Sequence, residues 1–327
     1  MRVKANKPPV FSGPFAEKLY AFIAHKQALG YKYYTVAESL TMFDAFSESL
    51  GADGGELTKE IVVAWIEKRP DEKPQTQIRR ISSIREFARY LNSFGIIAYS
   101  PPNGIGARVQ KYTPYIFTHA EVSKIFAATD RQRVFPQYPH SHLTTPAIIR
   151  LLYGTGIRIS EALALRVNDV NLEDGHIKVI DSKFSKDRLV PLSRSLTEYL
   201  RGYVGRIKPT GAFFPNRDGG HLSANGMYAR FRRILLDSGI SHGGRGCGPR
   251  LHDLRHTFSA HTIAHMVAQG LDLYVALPIL AAYLGHEKIS TTNQYVRLTA
   301  EVFPEVISIM EQKTGFVFPV IGGRDEE

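Results

Sequence analysis

Apolar residues recur with the period of a helix through residues 1–98, and no stretch there alternates as a strand does. Two segments end at glycines, "FAEKLYAFIAHKQALG" at Gly30 and "TVAESLTMFDAFSESLG" at Gly51. The third, "LTKEIVVAWIEK", has Thr58 as its predicted N-cap and Pro70 beyond its end. The fourth, "TQIRRISSIREFARYLNSFG", has isoleucines on one side and arginines on the other. The pattern predicts a four-helix domain with a basic face.

The pattern stops at "YSPPNGIGARVQKYTP", residues 99–114, which is rich in Pro and Gly and has no apolar period. Arg108 and Lys111 make this segment basic. We predict a basic linker here. It fits either a clamp around a DNA duplex or a solvated tether.

Residues 115–327 are predicted to form a second domain that is mainly helical. Its one change of period is at "HIKVI" and "RLVPL", two β-rich runs that flank the polar turn "DSKFSKD" and predict a small β-hairpin. The segment 131–146, "RQRVFPQYPHSHLTTP", resembles an insertion, and no element is predicted for the tail 315–327. Helices are predicted around 118–128, 146–165, 193–206, 223–238, 252–269, 274–284, 291–296 and 299–312.

The charge balance narrows the class of partner. The 327 residues include 41 Lys and Arg against 31 Asp and Glu, a net charge of +10, which favours a polyanion: nucleic acid first, an acidic membrane surface second. Cys247 is the single cysteine, so an internal disulfide or a thiolate zinc site is excluded, and a reduced, cytoplasmic protein is predicted. The start lacks the apolar run of a signal peptide, and the longest apolar stretch, residues 271–285, is too short to span a bilayer.

Three short stretches carry candidate chemistry, although each also fits a plain surface role. Arg158 follows a Gly-Thr-Gly turn at a helix start, where its guanidinium and the helix amides suit a phosphate. Lys183 lies at the predicted hairpin tip, and His252 and Arg255 are three residues apart on one helical face. A metal site is the competing interpretation of this helix, but an arginine would lie beside the ion and no carboxylate completes the protease pattern, so no metal is predicted. The histidines concerned are His252, His256, His261 and His265.

The stretch "YLGHEKISTTNQY" adds His286 after a Leu-Gly turn and Tyr295 at the end of a short polar helix. One reaction uses all these residue types: attack of a tyrosine oxygen on a DNA phosphodiester without a metal. Its transition state gathers charge on the non-bridging oxygens and needs fixed donors, its leaving 5′ oxygen needs an acid, and the phenol benefits from a base. The predicted donors are Arg158, Arg255 and His286, the acid is Lys183, the base is His252 and the nucleophile is Tyr295.

In chain order these residues resemble the active-site signature of the tyrosine recombinases, the phage integrase-type or Xer-type site-specific recombinases. The matching strings are "TGIRISEALAL", "SKFSKDRLVPL", "LHDLRHTF" and "YLGHEKISTT", followed by Tyr295. The resemblance covers roughly residues 115–312, and the helical N-terminal region looks like the family's SAM-like core-binding domain.

The resemblance implies a 3′-phosphotyrosyl intermediate, a freed 5′ hydroxyl and a Holliday junction on a homo-tetramer, with a dimer at each double-stranded DNA site. It implies no ATP and no other cofactor. It also implies that the helix near 299–312 docks into a neighbouring protomer, although packing on its own domain remains open. A mobile element is the favoured context, accessory proteins or a partner recombinase remain open, and association with the nucleoid would follow from DNA binding.

DNA contacts are predicted from position along the helices, with a solvated surface as the alternative for each residue. Lys32 and Tyr33 precede the second helix, and Thr76, Arg79 and Arg80 begin the fourth. Arg230 and Arg233 lie in "YARFRRILLD" of the second domain. Two other functions stay open: DNA relaxation by a type IB topoisomerase-like enzyme, and a DNA-binding factor without activity.

Overall fold

The computed structural model describes residues 9–106, 112–134, 136–180, 187–243 and 248–285. The chain divides into two compact units, with the division after Tyr112. The prediction of a mainly helical fold with a small β-sheet in the second domain is confirmed.

The described part of the first unit is built from four helices, as predicted. Thr58 caps the third by accepting the Ile61 N–H at 3.4 Å, and this helix ends at Ile66, before Pro70 is reached. The fourth helix begins at Pro74, which fits because N–H groups in the first turn of a helix have no acceptor within the helix, so the N–H that proline lacks is not missed there. The helices are α1 (Ala16–Ala28), α2 (Tyr34–Ser49), α3 (Lys59–Ile66) and α4 (Pro74–Ser93).

Aromatic side chains from all four helices fill the core of the first unit. The largest are almost completely buried and lie edge-on or tilted to one another, and they are Phe15, Phe22, Phe43, Trp65 and Phe87. Asp44 of α2 is 1% exposed, and its carboxylate accepts the N–H groups of Gly13 at 2.7 Å and Phe15 at 2.9 Å. This contact stabilises the entry to α1, which has no side-chain cap of its own.

The first residues of the predicted linker pack on the first unit. Arg85 of α4 donates from Nε to the Pro101 carbonyl at 2.8 Å and from Nη2 to the Pro102 carbonyl at 2.6 Å. A Cβ placed on Gly106 would lie 3.1 Å from Ile81 Cδ1. The start of the segment, from Pro101 to Gly106, therefore packs against α4.

Seven helices form most of the described second unit. The predicted helix over 146–165 is wrong in its bounds, because Gly156 ends one helix with φ of 63° and a second begins at Ile159. The first of the pair starts at Ser141 and contains Pro146, so the end of the supposed insertion is helical. The helices are α5 (His119–Asp130), α6 (Ser141–Thr155), α7 (Ile159–Ala164), α8 (Arg194–Ile207), α9 (Ala224–Asp237), α10 (Asp253–Ala268) and α11 (Leu273–Leu284).

The predicted hairpin is present and gains a third strand. Strands β1 (Val170–Asn171), β2 (His176–Val179) and β3 (Arg188–Pro191) form an antiparallel sheet in that order. Val179 pairs with Arg188 in the register of β2 and β3. The missed strand β1 is only two residues long, too short to show a period.

Helix α6 runs through the centre of the second unit. Its residues 144–149 are all buried, and it packs against α5, α8 and α10. The apolar core here includes Phe117, Leu152, Leu163 and Phe231. A smaller cluster joins α10 to α11 through Ile263 and Leu280. No helix in the described ranges is long and apolar enough to cross a membrane.

Candidate active site

The break between α6 and α7 places Arg158 at a helix start. Gly156 adopts the left-handed conformation that glycine enters without strain. A Cβ on Gly156 would come within 2.3 Å of Phe258 Cδ1 on α10, so the close helix packing also requires glycine. Ile157 is 2% exposed and anchors the connection in the core, and Arg158 follows as the N-cap of α7.

Glu161 brings two arginines together at the start of α7. Its carboxylate accepts the backbone N–H of Arg158 at 2.8 Å and Nη1 of the same residue at 2.8 Å. Arg188 of β3 adds a fork, with Nη2 2.8 Å from Oε2 and Nη1 3.2 Å from Oε1. Burial opposes ionisation of Glu161, but the hydrogen bonds from Arg188 and from the Arg158 backbone hold its pKa below the usual value.

Arg255 binds the ends of two helices from α10. Its residue surface is 3% exposed, with Nη1 2.8 Å from the Gly156 carbonyl oxygen and Nη2 2.9 Å from that of Leu284. Gly156 lies two residues before Arg158, and Leu284 lies two residues before His286. Arg255 therefore fixes the backbone next to two predicted catalytic positions, while little of its own surface is open to a substrate.

His252 is the N-cap residue of α10 and is exposed to solvent. Its ring meets that of His256 edge-on, with centroids 4.9 Å apart. The surrounding protein, then the positive charges of Arg255 and Arg158, lower the pKa of His252 to about 4. The imidazole is therefore neutral at neutral pH and is able to accept a proton.

The structure thus brings three predicted site residues, Arg158, His252 and Arg255, into one electrostatic environment. Lys183 falls in the segment 181–186, which lies outside the described residues. His286 and Tyr295 also lie outside them, immediately beyond and ten residues beyond Gly285.

Sequence reasoning missed Glu161 and Arg188. The spacing of Glu161, three residues after a helix N-cap, is a capping signal that was available in "RISE". Arg188 offered no comparable signal, since its partner lies 27 residues earlier. Tyr283 was also missed: it stacks on Phe258 at 5.6 Å, and burial raises its pKa to about 12 against the opposing charges of Arg188 and Arg255.

The predicted DNA-contact residues of the first unit have different environments. Lys32, Thr76 and Arg79 are exposed. A groove of about 510 Å³ is lined by Thr76, Arg79 and Tyr33 together with other residues of α2 and α4. Tyr33 is half-buried and its hydroxyl donates to Glu86, so burial and then this hydrogen bond raise the pKa of Tyr33.

The structure contradicts the prediction that Arg80 contacts DNA. Arg80 is 2% exposed, and its guanidinium donates to Glu72 from Nε at 2.7 Å and from Nη2 at 2.5 Å. The same group donates to the carbonyls of Trp65 and Glu67 and lies 5.0 Å from the Trp65 ring. Arg80 lies on the buried face of α4 because Glu72, in the connection from α3, is its partner.

In the second unit, Arg230 is partly buried and its guanidinium lies 5.3 Å from the centre of the Tyr138 ring. Burial lowers the pKa of Arg230. Arg233 is exposed and pairs with Asp237 at 3.2 Å. Both residues keep their predicted place on the polar side of α9, and neither shows a contact that identifies a DNA phosphate.

His261, one of the histidines considered for a metal, contacts other groups. His261 Nδ1 lies 2.9 Å from the Tyr153 hydroxyl, and its ring lies 4.0 Å from that of His119 between centroids. Within the described ranges, no three His, Cys, Asp or Glu side chains gather as a metal site requires.

Known proteins match both the sequence and the fold. The model of the phage integrase family matches residues 116–301, more than half of the chain. The protein named "Putative integrase/recombinase y4rB" of Sinorhizobium fredii is 27% identical over 308 residues, which cover 91% of this chain and 98% of the relative. The match extends through the first unit as well as the second.

Two solved structures share the fold at low identity. XerH site-specific recombinase bound to palindromic difH substrate, a post-cleavage complex, gives a TM-score of 0.61 at 19% identity, over 85% of this chain and 79% of that one. A lambda integrase tetramer bound to a Holliday junction gives 0.60 at 19% identity, over 85% and 76%. The family match, together with the clustered Arg158, His252 and Arg255, supports one assignment: the chain belongs to the phage integrase family, the tyrosine recombinases, and is a site-specific DNA recombinase.

Proposed function

We propose that this recombinase cleaves one DNA strand with Tyr295, forms a 3′-phosphotyrosyl bond and frees a 5′ hydroxyl that attacks the partner strand. The observation that carries the proposal is the joint placement of Arg158, His252 and Arg255 around the α6–α7 break. Arg158 and the pair His252 and Arg255 come from two distant parts of the sequence, and this reaction needs a phosphate anchor and a proton acceptor in one place.

Arg158 is the phosphate anchor in this proposal. Its side chain is 38% exposed, so part of the guanidinium faces solvent although Nη1 binds Glu161. A planar guanidinium suits two oxygens of one phosphate, and a fixed donor at developing charge is worth about 10²- to 10³-fold in rate. Arg255 supports the site by holding Gly156 and Leu284, and contacts the phosphate with the little surface that it exposes.

His252 is the proposed base for the tyrosine proton. A pKa of about 4 keeps the ring unprotonated at neutral pH, so it can accept a proton as the phenol attacks. The same low pKa means that the ring does not hold the proton once the phenolic oxygen is bonded to phosphorus, and it can release the proton to solvent, which reaches it.

Lys183 and His286 complete the proposed machinery, on the support of the sequence signature alone. Lys183 would protonate the leaving 5′ oxygen, which is otherwise a poor leaving group. His286 would donate to a non-bridging phosphate oxygen. Two described residues next to these segments lie close together: Arg188, which follows the hairpin tip, and Gly285, which precedes His286. A Cβ on Gly285 would lie 3.3 Å from Arg188 Nη1.

We further propose that exchange proceeds through a Holliday junction on a homo-tetramer, as the lambda integrase structure represents for that protein. Residues 1–98 would bind DNA, residues 115–327 would carry the chemistry, and the helix near 299–312 would connect protomers. The cell's DNA in the nucleoid is the expected location, and a mobile element is the expected context.

Exposed cations of the first unit would contribute to DNA binding. The groove that holds Thr76 and Arg79 also carries Glu38 and Glu86, so its charges are mixed. A mixed surface suits hydrogen bonding to base edges better than it suits phosphates alone. Lys32 would contact the backbone beside it.

The test uses duplexes from DNA flanking the gene, each nicked so that the cut strand diffuses away and the reaction cannot reverse. The full chain is incubated with them without metal or ATP, and adducts that resist SDS are separated on gels. We expect a covalent adduct with the wild type and none with Tyr295→Phe, although that variant binds the same duplex.

The control is Tyr274→Phe, which removes the hydroxyl of a tyrosine that is 79% exposed on α11. It should form the adduct at the wild-type rate. An adduct that persists in Tyr295→Phe would overturn the assignment of the nucleophile. Binding of the duplexes by the wild type without any adduct would instead favour a DNA-binding factor, and relaxation of plasmids without a particular site would favour a topoisomerase.

A further inference from the structure

The cluster at the start of α7 contains an arginine that the proposed chemistry does not use. Arg188 is the first residue of β3, and its side chain is 13% exposed. Both of its terminal nitrogens bind the two carboxylate oxygens of Glu161, at 3.2 and 2.8 Å. This forked geometry is the strong form of an arginine–carboxylate contact.

Glu161 poses an electrostatic problem for the phosphate anchor. Its carboxylate binds the side chain of Arg158 at 2.8 Å, the same side chain that must attract a negatively charged phosphate. A lone glutamate at this distance would cancel most of the attraction, because opposite charges in a partly buried site interact strongly. Glu161 is nevertheless needed where it is, since it also binds the Arg158 backbone N–H at 2.8 Å and closes the first turn of α7.

Arg188 resolves this conflict. It gives Glu161 a second cation as a partner. Arg158 and Arg188 then share one carboxylate, and the three side chains together keep a net positive charge. The low pKa of Glu161 agrees with a carboxylate that stays ionised between them. A Cβ on Gly285 would touch Arg188 Nη1 at 3.3 Å, so the same guanidinium also borders the residue before His286.

We infer that Arg188 is a positioning residue that acts as the counter-ion of Glu161, so that Arg158 keeps its charge for the scissile phosphate. This inference rests on the proposed function. It requires the charge of Arg188, and not merely its packing, to set the rate of strand cleavage.

The experiment measures the rate of adduct formation with the full chain at saturating protein, on a nicked duplex that gives an adduct with the wild type and none with Tyr295→Phe. Arg188→Gln should slow cleavage on the order of 10- to 100-fold, the scale for weakening one fixed charge at a transition state. The double variant Glu161→Gln with Arg188→Gln removes both charges and keeps an acceptor for the Arg158 N–H. It should recover at least about tenfold of the loss.

A purely structural role predicts the opposite ranking, because the double variant loses more contacts than the single one. A double variant as slow as Arg188→Gln or slower would overturn the inference, and so would an unchanged rate in Arg188→Gln. Arg188→Lys keeps the charge without the fork and should stay within about fivefold of the wild type. If Arg188→Gln does not fold, a folded Arg188→Lys protein that is slowed more than about 30-fold contradicts the inference by itself.

The matched control is Arg194→Gln on α8, which breaks an arginine–glutamate pair whose arginine side chain is 93% exposed. It should leave the rate unchanged, since exposed pairs contribute little. Thermal unfolding of every variant identifies those that are folded. A wild type that forms no adduct on any duplex defeats the proposed function itself, which separates that failure from failure of the role given to Arg188.

Discussion

Arg80 and its neighbour Arg79 provide a direct test of how burial divides the basic residues of α4 between structure and DNA. The side chains of Arg80 and Glu72 are 3% and 5% exposed, and they form a forked pair. Arg80→Met would leave the Glu72 carboxylate buried without that cation and would remove the donors to the carbonyls of Trp65 and Glu67. Breaking a buried ion pair from one side costs about 3–5 kcal/mol. Arg79→Ala, at an exposed position, should change the free energy of unfolding by less than about 0.5 kcal/mol.

Urea unfolding followed by tryptophan fluorescence measures this difference, because Trp65 is the single tryptophan and lies in the core of the first unit. With a slope of about 1–3 kcal/mol per molar urea, a loss of 3–5 kcal/mol lowers the midpoint by roughly 2 M. Replacing both partners, Arg80→Met with Glu72→Leu, should restore most of the stability, since a buried pair exchanged for apolar groups is often neutral.

DNA binding should show the reverse order for the two arginines. Arg79→Ala is expected to weaken binding and, if it contacts a phosphate, to reduce the salt slope of the binding constant by about one. The double variant Arg80→Met with Glu72→Leu, whose stability is restored, should bind DNA as the wild type does. A stable Arg80→Met protein that loses DNA affinity would refute the structural role given to Arg80.

Two further predictions follow from the second unit. Burial and the nearby His119 lower the pKa of His261 to about 4. The unfolded chain therefore binds a proton at this histidine below about pH 6.5, whereas the folded chain does not. The free energy of unfolding falls as the pH drops from about 6.5 towards 4. His261→Gln should remove about 1–2 kcal/mol of the difference in unfolding free energy between pH 7 and pH 5, measured by urea unfolding; an unchanged pH dependence would refute this assignment. Gly156→Ala should lower the free energy of unfolding by about 2–4 kcal/mol and reduce adduct formation, because a Cβ would come within 2.3 Å of Phe258 where φ is already +63°. Gly95→Ala, with φ of +75° and nothing within 4 Å, should show only the backbone strain of about 1–2 kcal/mol, and equal losses in the two variants would contradict the steric argument.

Local patterns predicted the elements because those elements follow from local forces. Thr58 caps α3 as its position in the sequence indicates, and the runs around Ile177 and Val190 pair as a hairpin. The Gly-Thr-Gly turn before Arg158 indicated a helix start there, yet the helix predicted over 146–165 ran across Gly156 because the apolar pattern continues, and the close approach of Phe258 fixes the break. That contact joins residues about a hundred positions apart, which no window of sequence contains.

The catalytic candidates were predictable from residue type and order, whereas their environment was not. Arg158, His252 and Arg255 could be named because the chemistry calls for cations and a base. The depression of the His252 pKa, however, depends on the surrounding protein and on charges that only folding brings near. Arg188 could not be predicted for the same reason, since its contact joins β3 to Glu161 of α7.

A net charge of +10 predicts a polyanionic partner, but it does not show which lysine and arginine side chains contact that partner. In the described structure, Arg80 and Arg85 bind a carboxylate or carbonyls of the protein and therefore serve the fold. Arg158 differs, because its partner Glu161 is shared with Arg188 and the group retains positive charge at a partly exposed position. Whether an arginine is structural or binds substrate thus depends on the sum of the charges around it. Changing the charges of Glu161 and Arg188 should therefore change the rate of cleavage, although Arg158 itself is unchanged.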